Sequence, residues 1–226
     1  MKREYVVPAA IIFAGIIISF AIYAVRHHTA DLSNGNPEAV RAVSSNDHVL
    51  GNPSAPVVFI EYADIDSEYS KTFQPVMDQL LQTYGATGNV AWVYRHFPLD
   101  PTSDSESDAE AAECVASLGG THDFFAFVDA VETAAPGDAQ FSPADYDQVV
   151  TSLGLASGSF DGCMTAHTYQ KKVLADAQNA ALIGATGSPY TILLIKGLKP
   201  EVISGAVPYE TAKQIVDTAI KAQLGQ

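Results

Sequence analysis

Apolar positions along this chain fall into three patterns. The first is one long run, Val6 to Val25, in which no residue carries a charge. As a helix it would be about 30 Å long, the thickness of a bilayer core. The second is the short continuous run of a buried strand. It occurs at Val57–Tyr62, Val90–Phe97 and Tyr190–Ile195. A shorter piece, Glu201-Val202-Ile203-Ser204, is predicted to lie antiparallel to the third run. The third pattern is helical spacing. Phe73, Val76, Met77, Leu80, Leu81 and Tyr84 form one stripe on a helix predicted over 67–84. Asp66 or Ser67 is placed to cap it, Pro75 to kink it, and Gly85 and Gly88 to end it. Ala212, Ile215, Val216, Ala219 and Ile220 form a second stripe, on a C-terminal helix opened by Pro208.

Between about residues 102 and 183 strand patterns stop and only helical signals remain. Gly119-Gly120 is a stop, and Ser142-Pro143 is a cap followed by proline at the first helical position. Asp104, Glu106, Asp108, Glu110 and Glu113 crowd one segment there and read as a solvated helix face. A calcium site would be the sharper reading of those acids, but the ordered ligand loop with its glycine is missing. The order is β-α-β, helical insertion, β-β-α. The first two strands flank a helix, which implies a parallel pair with a right-handed crossover. The predicted class is therefore α/β, a thioredoxin-like fold with an inserted helical domain at about 102–183. Residues 1–26 form the N-terminus and membrane anchor, 27–47 a polar linker with a short helical piece near 38–43, and 48–226 the domain.

Composition narrows the function. Hydrophobic residues make up 47% and charged residues 17%, enough apolar material for a normal core. The formal charge of -14 repels phosphate backbones and argues against nucleic-acid binding. Lys2 and Arg3 precede the apolar run and Arg26 follows it. The positive-inside rule then puts the N-terminus in the cytoplasm and the domain outside the cell membrane, held by a single pass. A cleaved signal peptide is the alternative. The run exceeds a usual signal core, and a cut after Ala24 would place Ile22 where a small residue is preferred. Only two cysteines occur, Cys114 and Cys163, with no CxxC and no zinc-ligand spacing. No cofactor and no metal is expected.

Several motifs, in order, resemble one family. Asp47-His48-Val49-Leu50-Gly51-Asn52-Pro53-Ser54-Ala55-Pro56-Val57, Arg95-His96-Phe97-Pro98-Leu99, Ala111-Ala112-Glu113-Cys114 and Thr186-Gly187-Ser188-Pro189-Tyr190 are similar to segments of DsbA-like thiol–disulfide oxidoreductases. The resemblance covers Asp47 to the C-terminus. It implies a Cys-x-x-Cys motif where the first core helix begins, and that motif is replaced here by Ser67-Glu68-Tyr69-Ser70. A cysteine there works as a thiolate stabilised by the helix N-terminus. A serine hydroxyl is too weak an acid to ionise there and cannot exchange a disulfide. The resemblance also implies that Pro189, after Ser188, is a cis-proline in a loop facing the motif, able to pair with an extended partner segment.

No catalytic residue of the motif is therefore intact. A serine nucleophile would need a base within reach, and no strand–GxSxG–helix turn is present. Ser67 as a helix cap and Ser70 in the first turn is the plainer reading. In an oxidising compartment Cys114 and Cys163 are expected to form a structural disulfide; an alternative redox centre is the other reading. His96 reads as a strand-end structural residue. The leading expectation is a membrane-anchored, extracytoplasmic DsbA-like protein that binds extended polypeptide or exported protein, chaperone-like or regulating a membrane redox partner. The second is a thiol–disulfide oxidoreductase seen as a Cys→Ser form, or one that uses Cys114 and Cys163.

Overall fold

The computed structural model describes residues 35–99, 104–134, 141 and 143–224. The apolar run Val6–Val25 lies outside them. Among the described residues no helix is long and apolar enough to cross a membrane.

Every residue of Val57–Ala63 is buried, which is why this strand reads as a continuous apolar run and not as an alternation. It is β2, the centre of a five-stranded sheet. The other strands are β1 (His48–Gly51), β3 (Val90–His96), β4 (Tyr190–Ile195) and β5 (Glu201–Ser204). The order across the sheet is β1-β3-β2-β4-β5. β2 and β3 are parallel, joined through helix α1 (Glu68–Tyr84), and the remaining pairings are antiparallel. Strand β1 has no counterpart in the sequence reading. Unlike β5, which a short connection joins to its partner β4, β1 pairs with β3, far along the chain, so no hairpin pattern marks it. Gly51 ends it at φ +88, where a Cβ would come within 2.5 Å of the Val90 carbonyl oxygen.

Alternation along the strands builds two cores. On one face Val57, Phe59, Trp92, Tyr94 and Leu193 meet Phe73, Met77 and Leu80 of α1, together with Ala212, Val216 and Ala219 of the C-terminal helix. Both predicted stripes thus face the sheet, and α1 continues through Pro75. On the other face Val58, Ile60, Tyr62 and Val93 meet Ala180 and Ile183. The insertion supplies α2 (Ser105–Gly119), α3 (Thr121–Ala134), α4 (Pro143–Ser152), α5 (Ser157–Thr165) and α6 (Gln170–Ile183); α7 is Tyr209–Leu224. By sequence α6 belongs to the insertion, yet its C-terminal half covers the second face of the sheet.

Two expectations are corrected. The acid-rich segment, α2, is not a solvated face: Asp108, Glu110 and Glu113 are buried. Each has found a partner, Tyr146, His167 and the His48/His96/Lys172 group respectively. Charge along a helix does not reveal exposure when the compensating groups come from distant parts of the chain. Likewise, residues 36–47 of the segment read as a linker lie against the domain. Pro37–Ala39 form a single 3-10 turn, and Ala39, Val40 and Val43 pack on the α6 side of the sheet. Arg95 holds this segment with four of its five N–H donors, given to both Asp47 carboxylate oxygens and to the Arg41 and Ala42 carbonyls, and gives the fifth to the Tyr62 hydroxyl of β2.

Candidate functional site

The parallel β2–α1–β3 unit brings the Ser67–Ser70 turn to the carboxyl end of the central strand. Ser67 has the extended conformation of an N-cap residue, but its side chain makes no cap hydrogen bond. Its Oγ points instead at the Ser188 carbonyl oxygen, 3.5 Å away, so the capping role expected for Ser67 is not filled. The turn is held by Asp64. One of its carboxylate oxygens accepts from the Asp66 N–H at 3.0 Å and from the Ser105 hydroxyl; the other accepts from the Leu99 N–H at 2.8 Å.

The Ser188–Pro189 peptide is cis, and its loop faces the turn. Ser188 Oγ accepts from the Asp64 N–H at 2.6 Å and lies 2.7 Å from Ser70 Oγ. Ser70 is buried, with 1% of its surface exposed. Glu68 and Tyr69 stand outside this bonded set. Tyr69 is 70% exposed, and Glu68 receives a 3.3 Å contact from Lys71. The β4 ladder begins only at Tyr190, so Gly187 and Ser188 lie beyond its pairings. The structure therefore brings Ser67, Ser70, Ser188 and Pro189 together. Cys114 and Cys163 belong elsewhere: their disulfide joins α2 to α5, with Cys114 fully buried. Among the described residues no three His, Cys, Asp or Glu side chains converge as a metal site would require.

Beneath this turn lies a set of buried acids that sequence reasoning did not single out. Tyr94, Glu61 and Thr191 stand side by side in one row across β3, β2 and β4. By alternation this row is on the face covered by α1. Burial pushes Glu61 up to about 8, although Trp92 Nε1–H donates to it at 2.8 Å. Burial, then the Glu61 charge, pushes Glu132 up to about 9. Burial raises the Tyr94 hydroxyl too, with Glu132 and Glu61 adding to it. The detectable signal was an acid in the middle of an apolar strand. Closer to the motif, Asp66 and Asp108 are both raised, first by burial, and Asp108 reaches about 8. The carboxyls buried around the turn, Glu61, Asp108 and Glu132, are thus held toward their protonated forms by burial.

A cavity of about 800 Å³ bordered by Arg41, His48, Glu113 and Lys172 contains no motif residue. Its charges are paired off, Arg41 with Asp176, Lys172 with Glu113 and Asp47 with Arg95. Its structural work is plain: Glu113 bonds His48 of β1, His96 of β3 and Lys172 of α6 at once.

Residues 43–218 match a family model described as thioredoxin. Among curated proteins, the chain is 25% identical over 190 residues to Na(+)/H(+) antiporter NhaA 1 of Mycolicibacterium gilvum, covering 79% of this chain and 29% of the antiporter. It is 30% identical over 144 residues to NhaA 3 of Salinispora tropica, covering 63% of this chain and 21% of that one. The chain thus spans under a third of the length of these relatives. Among solved structures it resembles alpha-DsbA1 of Wolbachia pipientis, with a TM-score of 0.72 at 22% identity, covering 84% of this chain and 99% of that one. BdbD of Bacillus subtilis gives 0.70 at 17% identity, covering 80% and 96%. These two structures share the fold described above.

Proposed function

The chain belongs to the thioredoxin family, and from that premise we propose a membrane-anchored, extracytoplasmic DsbA-like protein that binds extended polypeptide and exchanges no disulfide at its motif. The observation that carries this reading is the occupation of both motif positions by serine, with Ser70 Oγ buried against Ser188 Oγ. The hydroxyls bond within the protein and supply no thiolate. The site keeps a loop beyond the β4 ladder at Gly187, facing a turn that carries the exposed Tyr69. An extended segment can be held there by strand-like pairing. The run Val6–Val25 supports the anchor, and the antiporter relatives are consistent with a role at a membrane.

In a disulfide-reductase and oxidative-refolding assay the full chain should show no turnover above background. Turnover matching a CxxC protein would overturn the redox-silent reading. A photo-crosslinking residue at position 69 should capture unfolded polypeptide far more than one at the exposed Leu174 of α6; equal capture would overturn the binding reading.

The buried Glu61 favours a second reading. A protonated carboxyl buried beneath the motif costs stability and has no evident use in a site that moves no protons. It suits a thiol–disulfide oxidoreductase of which this is a Cys→Ser form. Ser67→Cys with Ser70→Cys should then yield a thiol of low pKa and strong oxidase activity, and an inert pair would dismiss this reading.

A further inference from the structure

On the helical insertion a cavity of about 410 Å³ has a distinctive lining. Its floor is aromatic and thioether: Phe141, Tyr146, Phe160 and Met164. The Phe141 and Tyr146 rings lie 5.5 Å apart and the Tyr146 and Phe160 rings 6.0 Å apart, all three nearly buried. Its rim carries three exposed carboxylates, Asp104 on the α2 side, Asp147 of α4 and Asp161 of α5. None of the residues lining it is Lys, Arg or His. Elsewhere in the domain several acids are paired with cations, as at the Arg41, Arg95 and Lys172 pairs. Here three acids surround aromatic faces with no cation among them.

Tyr146 is fixed in this floor from below. Its hydroxyl donates to Asp108, which is fully buried, so the ring cannot rotate away without breaking that buried hydrogen bond. A fixed aromatic floor under a ring of carboxylates is complementary to one kind of group. The rings attract a cation through their quadrupoles within about 6 Å, the carboxylates neutralise it, and the apolar floor takes its alkyl stem. A chain of formal charge -14 adds a long-range attraction for cations.

The geometry points to this cavity as a binding site for an organic cation, an ammonium or guanidinium group on an alkyl stem. The inference does not depend on the groove at Ser67–Ser70. Two sources share this chemistry, a free amine and the Lys or Arg side chain of a polypeptide.

The test is a methyl NMR titration of the full chain labelled at methionine. Met164 lines the cavity, and Met77, buried under the sheet, is the internal control. Pentylammonium and butylguanidinium should shift Met164 saturably and leave Met77 unmoved. The neutral analogue 1-pentanol should bind at least about fivefold more weakly, and Asp147→Asn with Asp161→Asn should weaken the cations by about fivefold or more. Both aspartates are exposed, so the variant keeps the buried core, and the alcohol comparison needs no variant. A short peptide with one lysine, run against its norleucine counterpart, identifies the source: tighter binding than pentylammonium assigns a polypeptide side chain, weaker binding a free amine, and either supports the site. A Met164 methyl that does not move, equal binding of 1-pentanol, or cation binding unchanged in the double variant would overturn it.

Discussion

Glu61 is held protonated in the fold, and the linkage between that proton and stability has a definite sign. Its folded pKa, about 8, lies above the ordinary glutamate value of 4.5. At low pH both folded and unfolded chains carry the proton. As pH rises past about 4.5 the unfolded chain releases it and the folded chain does not, so stability declines until about pH 8. Glu61→Gln removes this loss while keeping an acceptor for the Trp92 N–H. It should stabilise the protein by about 1–3 kcal/mol at pH 8 and have little effect at pH 4, read from urea unfolding at the two pH values. Glu113 has the opposite sign. Although burial opposes its ionisation, the bonds from His48 and His96 hold it well below the usual carboxylate range. Its contribution is present above about pH 4.5 and is lost as pH falls toward its depressed folded value. Glu113→Gln should cost about 3–5 kcal/mol at neutral pH, because Lys172 is left without its carboxylate. It should also flatten the acid limb of the stability profile, which a melting series from pH 7 to about pH 3 would show.

Among the elements, the disulfide is the covalent tie within the insertion. It joins α2 to α5 across 49 positions. In the chain-entropy model a loop of that size is worth about 4 kcal/mol. Replacing both cysteines by alanine should lower the melting temperature by several degrees without affecting polypeptide capture at Tyr69, since neither sulfur belongs to the motif. A large loss of capture at a temperature where the variant is folded would contradict that separation. Elements with a strong local pattern were legible in the sequence: β2, β3, β4, β5, α1 and α7 stand where periodicity put them. The motif and the loop opposite it were legible through resemblance. Strand β1 was not, because its partner β3 is distant in sequence, whereas β5 is joined to its partner β4 by a short connection. The burial of Asp108 and Glu113 was not either, because their partners Tyr146, His48 and Lys172 lie 38, 65 and 59 positions away. Short-range pattern reports which face of a helix is polar; it does not report whether distant polar groups have closed over that face.

At the scale of the molecule, residues 36–47 are part of the domain. A truncation of residues 1–35 keeps this segment and serves as the reference for urea unfolding of the domain. Removing 1–47 should destabilise it by about 2–4 kcal/mol, because Arg95 would lose Asp47 and the Arg41 and Ala42 carbonyls, and the apolar surface under Ala39, Val40 and Val43 would meet water. Equal stability of the two truncations would show that the docked segment contributes nothing. If the anchor reading of Val6–Val25 is right, the same contacts decide how the domain bears load. A pull applied at Asn36 first meets the Asn36–Leu182 backbone bond, then Asn179 and Asp176 of α6, then the four hydrogen bonds given by Arg95 of β3. These attachments lie in series along the segment and reach inner elements of the fold before the edge strand β1 is loaded. Tension from a tether would therefore be spread into the centre of the sheet through a buried arginine, and the edge strand would be shielded from peeling.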